Sequence, residues 1–202
     1  MIQGQAPLIV ALGGTQRPQS SSASALRFCL EEAERLGART RLFSGSDIEL
    51  PHYDPAKPER TDIARRFIDA MREADGVILA SPGYHGGVSG LVKNALDYLE
   101  DTAKDQRPYL TARAVGCIAA AAGWQAGGPV LAGLRAVVHS LRGWPTPLGV
   151  QLNTATPMFN LAGGCLDAAA ESQLKLMTAQ VLEFALMEHE ARRPAMSSQA
   201  HG

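Results

Sequence analysis

The sequence has few cysteines and no excess of either charge. Its three cysteines, Cys29, Cys117 and Cys165, are an odd number, and no pair has the spacing of a metal-binding motif. Lys and Arg number 19 against 20 Asp and Glu, so the net charge is -1 at pH 7. A nucleic-acid-binding protein would show a marked basic excess. We therefore expect packed or surface thiols, a cytoplasmic location, no metal site and no nucleic-acid partner.

Long hydrophobic segments are also missing. The most apolar stretch, residues 114–123, is far shorter than the roughly 20 residues that a membrane-spanning helix needs. The first residues carry neither a basic segment nor an apolar run, so we expect no signal peptide and no membrane association. A length of 202 residues suits one hydrophobic core. We predict one domain over residues 1–190 and a disordered polar tail over 191–202.

Strand and helix patterns alternate along the chain. Continuous apolar runs such as residues 8–12 are typical of strands that are buried on both faces of a parallel sheet. Strands are predicted at 8–12, 39–43, 76–80, 114–121 and 148–152, and helices at 22–36, 61–74, 89–100, 130–141 and 167–190. This alternation predicts an α/β fold with a doubly wound, five-stranded parallel sheet.

Ligands of such sheets bind at the carboxyl ends of the strands, where the strand order reverses. In a sheet of order 2-1-3-4-5, that point lies between the first and third strands. Three unusual loops follow the first, third and fourth strands, at residues 13–22, 81–87 and 122–128. We therefore expect these loops to form the binding site.

The first loop has the composition of a phosphate cradle. Its glycines allow close approach of the backbone, and the helix that follows offers unpaired N–H groups. Thr15, Ser20, Ser21 and Ser22 add hydroxyl groups, and Arg17 adds a charge that can bind phosphate oxygens in pairs. A serine-rich helix cap with a surface arginine is the alternative. The motifs G-x-G-x-x-G and G-x-x-x-x-G-K-[ST] are both absent.

The second loop suits a flat heteroaromatic ring. Glycine-rich residues 83–86 leave backbone N–H and C=O groups free to match the polar edge of a ring, and Tyr84 and His85 can pack against it. The alternative makes Tyr84 a rim aromatic and His85 a solvated loop residue. The serine-hydrolase motif G-x-S-x-G does not occur here, because the second glycine comes one position early.

Residues 81–98, SPGYHGGVSGLVKNALDY, resemble the NAD(P)H-dependent FMN reductase family. Members of that family carry a P-x-Y loop followed by a helix with the motif G-x-L-K-N-x-x-D. The family's G-S-x-R-x-x-S also corresponds to residues 14–20 here, with Thr15 in place of Ser. The resemblance extends from residue 8 to the closing helix.

The resemblance implies a three-layer flavodoxin-like fold, bound FMN, and NADPH or NADH as co-substrate. By motif position, the residues implied to bind the FMN phosphate are Thr15, Arg17, Ser20 and Ser22. Those implied to line the isoalloxazine are Pro82, Gly83, Tyr84, His85 and Gly86. Gly123 and Trp124 are candidates for further ring contacts, although Trp124 could instead lie in the core or an interface. Lys93, Asn94 and Asp97 are interpreted as structural.

The family implies transfer of hydride from NAD(P)H to FMN by a homodimer or homotetramer. Release of reduced FMN to a flavin-dependent monooxygenase is implied by the family alone. The alternatives are a quinone or azo reductase that retains its FMN, a non-enzymatic flavodoxin-type electron carrier, and a binding module without flavin. The sequence determines neither the final electron acceptor nor the choice between NADH and NADPH.

Overall fold

The computed structural model describes residues 6–17 and 19–192, and of Trp124 only the backbone. Strands and helices alternate along the chain as predicted. They are β1 (Leu8–Gly13), α1 (Ser21–Arg35), β2 (Arg39–Phe43), α2 (Asp62–Glu73), β3 (Gly76–Tyr84), β4 (Gly87–Val88), α3 (Gly90–Asp97), β5 (Ala114–Ala121), α4 (Trp124–Ser140), β6 (Trp144–Pro145), β7 (Val150–Asn153) and α5 (Ala168–Ala191). Short 3₁₀ helices occupy Gly45–Ile48 and Tyr98–Thr102. Residues 193–202 of the predicted tail lie outside the described residues.

The central sheet confirms the predicted α/β class and the predicted order of the first four parallel strands. Parallel strands follow one another in the order β2-β1-β3-β5, and β6 and β7 both pair with the outer edge of β5. The strand order therefore reverses beside β1 and β3, where a ligand is expected.

The number of strands differs from the prediction of five, because the sheet has seven. The predicted strand at 148–152 corresponds to β7, and a further short strand, β6, pairs with the first residues of β5. Pro147 lies between them and has no N–H to donate to the ladder, which explains the interruption. The other additional strand, β4, folds back antiparallel onto the end of β3.

Helices cover both faces of the sheet. Ile9 and Ala11 of β1 pack in the cluster that contains α1 and α5, whereas Leu8, Val10 and Leu12 pack in the cluster that contains α2, α3 and α4. Adjacent side chains of a strand point to opposite faces, so this alternation follows from the strand geometry. Both faces of β1 are thereby buried, as its continuous apolar sequence predicts.

The segment 123–128 was expected to be a loop, and this expectation is wrong. Only Gly123 precedes α4, which begins at Trp124 and includes the glycines of the segment. Gly123 has a φ of +102°, a conformation that suits glycine, and it turns the chain directly from β5 into the helix. Glycine-rich composition indicates a loop only weakly when a tight turn of this kind allows a helix to start at once.

The described residues contain neither a membrane-spanning helix nor a metal-binding group of side chains. Within residues 6–17 and 19–192, no helix is long and apolar enough to cross a membrane. In the same part of the chain, no three His, Cys, Asp or Glu side chains come together as a group that could hold a metal ion.

Candidate functional site

The end of β1 lies unusually close to β3. A Cβ atom placed on Gly13, whose φ is +146°, would lie 1.9 Å from the carbonyl oxygen of Ala80 in β3. The next residue, Gly14, donates its backbone N–H to that same oxygen at 3.2 Å. Only glycine fits at position 13, and this close approach directs the first loop away from the sheet at the point where the strand order reverses.

The first loop leads into the start of α1, whose N–H and hydroxyl groups suit an anion. The Ser20 hydroxyl caps α1 by accepting from the Ala23 N–H at 3.2 Å. The hydroxyl of Ser22 lies 3.4 Å from that of Ser20. In the described part of the chain, the N–H groups of Ser21 and Ser22 have no acceptor, so they remain available together with the positive end of the helix dipole.

Backbone hydrogen bonds hold the loop itself in shape. Thr15 Oγ1 accepts from the Arg17 N–H at 3.0 Å, and the Arg17 carbonyl accepts from the Ser20 N–H at 3.2 Å. These contacts use the backbone of Arg17 and leave its guanidinium exposed. The loop therefore presents a cation that has no side-chain partner within residues 6–17 and 19–192, beside the start of α1.

The second loop is a tight β-hairpin and not an irregular loop. Tyr84 pairs with Gly87, and the two turn residues between them, His85 and Gly86, have φ values of +52° and +79°. Two successive positive φ values define the turn type that best matches the twist of hairpin strands. The Tyr84 side chain is 55% exposed, so it stands at the rim of the sheet edge.

A buried serine fixes the base of this hairpin. Ser81 Oγ donates to the Pro82 carbonyl at 2.8 Å and accepts from the Ser89 N–H at 2.9 Å. Ser89 in turn caps α3, because its Oγ accepts from the Val92 N–H at 3.2 Å. The backbone of residues 82–84 is thus held rigidly against the start of α3.

An asparagine joins the third loop to the segment after β7. Asn153 Oδ1 accepts from the Gly123 N–H at 3.0 Å and from the Ala155 N–H at 3.1 Å. The Thr154 N–H donates to the Ala121 carbonyl at 2.9 Å. These bonds fix the end of β5 and the start of α4 relative to the rest of the edge.

The loops enclose a cavity of about 500 Å³. This volume lies within the roughly 300–1,000 Å³ that ligand sites occupy. The lining residues are Thr15, Arg17, Gln19, Ser20, Ser21, Ser22, Pro82, Gly83, Tyr84, Ala120, Ala121, Ala122 and Thr154. Hydroxyls, amides and a guanidinium come from the first loop and α1, while small side chains and an aromatic ring come from β3 and β5. The lining suits a ligand with a phosphate at one end and a flat ring at the other.

The structure brings most of the predicted residues together. Seven of them line this cavity: Thr15, Arg17, Ser20, Ser22, Pro82, Gly83 and Tyr84. His85 and Gly86 form the hairpin tip, Gly123 follows the lining residue Ala122, and the side chain of Trp124 lies outside the described part.

Sequence reasoning missed the lining residue Thr154. Thr154 follows the fifth strand of the predicted order. The carboxyl ends of all strands in a parallel sheet lie at the same edge, so the loop after the fifth strand is also a candidate for the site. The sequence prediction covers only the loops after the first, third and fourth strands and therefore omits Thr154. Ser21, one of the hydroxyl donors expected in the first loop, also lines the cavity.

The helix motif residues have structural contacts. Asn94 accepts from the Tyr53 N–H at 2.9 Å and donates to the carbonyls of Leu50 and Pro51 at 3.2 and 3.0 Å. Lys93 Nζ pairs with Asp97 Oδ1 at 2.5 Å on the surface. Asn94 therefore fixes the segment after β2 against α3, and Asp97 pairs along its own helix.

Two of the thiols are inert at neutral pH. Burial raises the pKa of both Cys29 and Cys117 to about 12, and each side chain is fully enclosed in the core. A cysteine acts as a nucleophile only as its thiolate. Both residues therefore serve packing.

Comparison with known proteins identifies the family. The family model for NADPH-dependent FMN reductases matches residues 7–156. The chain belongs to this family. Membership confirms the resemblance read from the two motifs, with FMN as cofactor and NAD(P)H as co-substrate. The chain is an FMN-dependent NAD(P)H oxidoreductase, which sets aside the electron-carrier and binding-module alternatives.

Individual relatives agree with the family. The FMN-dependent NADPH-azoreductase of Staphylococcus aureus (strain USA300) is 28% identical over 183 residues, which cover 87% of this chain and 93% of the relative. Among solved structures, an NADH:FMN oxidoreductase in its apo form is similar with a TM-score of 0.69 and 24% identity, covering 90% of each chain. A flavoenzyme NAD(P)H:(acceptor) oxidoreductase from Paracoccus denitrificans gives a TM-score of 0.66 at 16% identity, covering 91% of this chain and 99% of that one. At these identities the two structures support the fold alone.

Proposed function

We propose that the 500 Å³ cavity is the FMN site of this oxidoreductase. The observation that carries the proposal is the meeting of the α1 start with the β3–β4 hairpin at the reversal of strand order. One end of the cavity offers free N–H groups, hydroxyls and a guanidinium, which suit a terminal phosphate. The other end offers rigid backbone and small side chains, which suit the isoalloxazine.

At the phosphate end, four side chains would hold the anion together. Arg17 supplies the charge, and Thr15, Ser20 and Ser22 supply hydroxyl groups. Ser20 can serve both as helix cap and as ligand, because its oxygen accepts from Ala23 while a hydroxyl group also has a proton to donate.

At the ring end, the backbone of residues 82–86 would match the pyrimidine edge of the flavin. The turn conformation of His85 and Gly86 presents their N–H groups at the hairpin tip. Tyr84 would pack along the ring, and Gly123 and Trp124 would approach from the start of α4. The hydrogen bonds of Ser81 and Asn153 keep these segments in place before the cofactor arrives.

When bound, FMN supplies the chemistry by accepting a hydride from the nicotinamide and passing two electrons to an acceptor. The contribution of the protein is to bind both partners with their reacting atoms aligned, which can reduce a barrier by about 7–11 kcal/mol in favourable cases. Because Tyr84 is 55% exposed, the outer side of the hairpin is open to a second ligand.

Two classes of acceptor follow from different observations. The FMN reductase family supports free flavin as acceptor, and we propose a flavin-dependent monooxygenase as the partner that would take up the reduced FMN. The Staphylococcus aureus relative supports an azo compound, and a quinone belongs to the same class of acceptor for a retained flavin. Gel filtration after turnover separates the two: FMN that leaves with the small molecules favours flavin supply, whereas FMN that stays with the protein favours an azo or quinone reductase.

The assembly, the domain organisation and the location complete the proposal. We expect residues 1–190 to form one FMN-binding domain that assembles as a homodimer or homotetramer in the cytoplasm. Light scattering of the purified chain measures the assembly directly. A mass of one chain, 21.4 kDa, at assay concentration would contradict the oligomer.

Titration of the apoprotein with FMN and with riboflavin tests the site itself. The two ligands share the ring system and differ in the phosphate. We expect FMN to bind more tightly than riboflavin, because the α1 start and Arg17 contact only the phosphate. Equal affinity for the two ligands would contradict the assignment of the first loop.

A further inference from the structure

A second cavity, of about 400 Å³, continues from the first along α1. The two cavities share Gln19 and Ser21 in their linings. The second lies between the outer side of α1 and residues 157–163, and it includes Ser24, Arg27, Glu31 and Leu161. A ligand that passes the phosphate end of the first cavity can therefore enter the second.

Arg27 contributes a cation that has no partner in the described part of the chain. Its side chain is exposed, and no hydrogen bond or ion pair joins it to any group in residues 6–17 and 19–192. On the same helix, Arg35 differs, because its guanidinium donates to Glu32 at 2.6 and 2.8 Å. Glu31 also lines the cavity and forms no ion pair with Arg27 within the described residues.

Leu161 places an exposed apolar side chain in the lining of this cavity. Its side chain is 95% exposed. Asn160 stiffens the turn that carries it, since Oδ1 of Asn160 accepts from the N–H groups of Ala162 and Gly164 at 3.0 and 2.9 Å. The Asn160 N–H also donates to the Gly164 carbonyl at 2.9 Å. A rigidly presented apolar side chain beside a polar cavity suits the face of a flat ligand.

We propose that this second cavity binds the adenosine 2′-phosphate end of NADPH, an inference that rests on the proposed FMN site. With the nicotinamide over the flavin ring at the hairpin, the rest of the dinucleotide extends past the α1 start and over Ser21. The Arg27 guanidinium and the Ser24 hydroxyl then meet the 2′-phosphate. Leu161 covers the adenine, and Glu31 accepts from its amino group or from a ribose hydroxyl. Arg27 is thus the residue that favours NADPH over NADH.

A third cavity of similar volume, about 430 Å³, is less suited to this end of the dinucleotide. It lies between β7 and the start of α5, and its lining includes Asp167 and Gln173. Its described lining residues contain a carboxylate and no cation. A phosphate with two negative charges would be repelled there, whereas Arg27 balances Glu31 in the second cavity.

Calorimetric binding of adenosine 2′,5′-bisphosphate and of 5′-AMP tests the proposal without turnover. The two probes differ in the 2′-phosphate. In FMN-loaded protein, Arg27→Ala is expected to weaken bisphosphate binding about tenfold to a hundredfold, since one charged contact is lost. Binding of 5′-AMP and of FMN should stay within about twofold. Leu161→Ser should weaken both adenosine probes equally, because both carry the adenine.

Arg66→Ala is the matched control. Arg66 is also an exposed arginine, but it lies on α2, on the opposite face of the sheet. Its loss removes the same charge and should leave bisphosphate binding unchanged. In steady state, Arg27→Ala should raise the KM for NADPH and leave the KM for NADH unchanged.

The proposal is overturned if Arg27→Ala binds the bisphosphate as tightly as the unsubstituted protein, or if it weakens both probes equally. Failure of the proposed FMN site has a different signature. The wild-type protein would then bind FMN and riboflavin with equal affinity, and the same two adenosine probes can still be compared on the apoprotein.

Discussion

Replacement of Arg17 by alanine should weaken FMN binding without destabilising the protein. The loop depends on the backbone of Arg17, whose N–H donates to Thr15 Oγ1 at 3.0 Å and whose carbonyl accepts from the Ser20 N–H at 3.2 Å. Alanine retains both groups. Because the side chain is exposed, we expect the free energy of unfolding to change by no more than about 0.5 kcal/mol.

The effect on the ligand is larger because the contact carries charge. A charged hydrogen bond is worth about 1.5–3 kcal/mol, and solvent screening of an exposed guanidinium places Arg17 at the lower end. An affinity loss of about tenfold for FMN follows. Quenching of flavin fluorescence on titration of the apoprotein measures it.

Riboflavin is the decisive comparison, since it lacks the phosphate. Arg17→Ala should leave riboflavin affinity unchanged, and Arg27→Ala, which removes an equal charge further along α1, should leave FMN affinity unchanged. An unaltered FMN affinity in Arg17→Ala would refute the assignment of the phosphate end. So would an equal loss for riboflavin, because the arginine would then act on the ring or on the fold.

Three other outcomes follow from the same geometry. Ser20→Ala should lower the free energy of unfolding by about 1 kcal/mol through loss of the helix cap and should also weaken FMN binding; an unchanged urea midpoint would argue against the cap. Gly13→Ala should cost at least about 3 kcal/mol, because its φ of +146° and a carbonyl oxygen 1.9 Å from the new Cβ leave no strain-free position; thermal unfolding close to that of the wild type would contradict this. At pH 8, a disulfide reagent should modify Cys165 alone in the folded protein, since burial raises the pKa of Cys29 and Cys117 to about 12; rapid modification of more than one thiol would show that the core opens.

The buried strands were predictable because their sequence pattern has a single physical meaning. The apolar runs that form β1 and β5 occur where expected, since only a strand covered on both faces buries every side chain of such a run. The sheet edge was harder to predict. Pairing of β6 and β7 on either side of Pro147 depends on contacts with β5, which local composition does not report.

The site was partly predictable for a related reason. Hydroxyls, glycines and an arginine next to a helix start indicate a phosphate cradle, and Thr15, Arg17 and Ser20 do line one cavity. Thr154 lines the same cavity only because the fold brings the end of β7 next to the first loop, which is far away in sequence. The second cavity was also beyond sequence reasoning, since Arg27 and Leu161 come together only when α1 packs beside the segment after β7.

The most direct test of the central claim is an anaerobic spectral titration of the purified protein, first with FMN and then with NADPH and NADH in separate runs. We expect FMN to bind near one equivalent per chain, a reduced nicotinamide nucleotide to bleach the flavin band, and NADPH to do so at lower concentration than NADH. Bound FMN that neither nucleotide bleaches would contradict the hydride-accepting site, and absence of FMN binding would contradict the assignment of this chain as an FMN-dependent oxidoreductase.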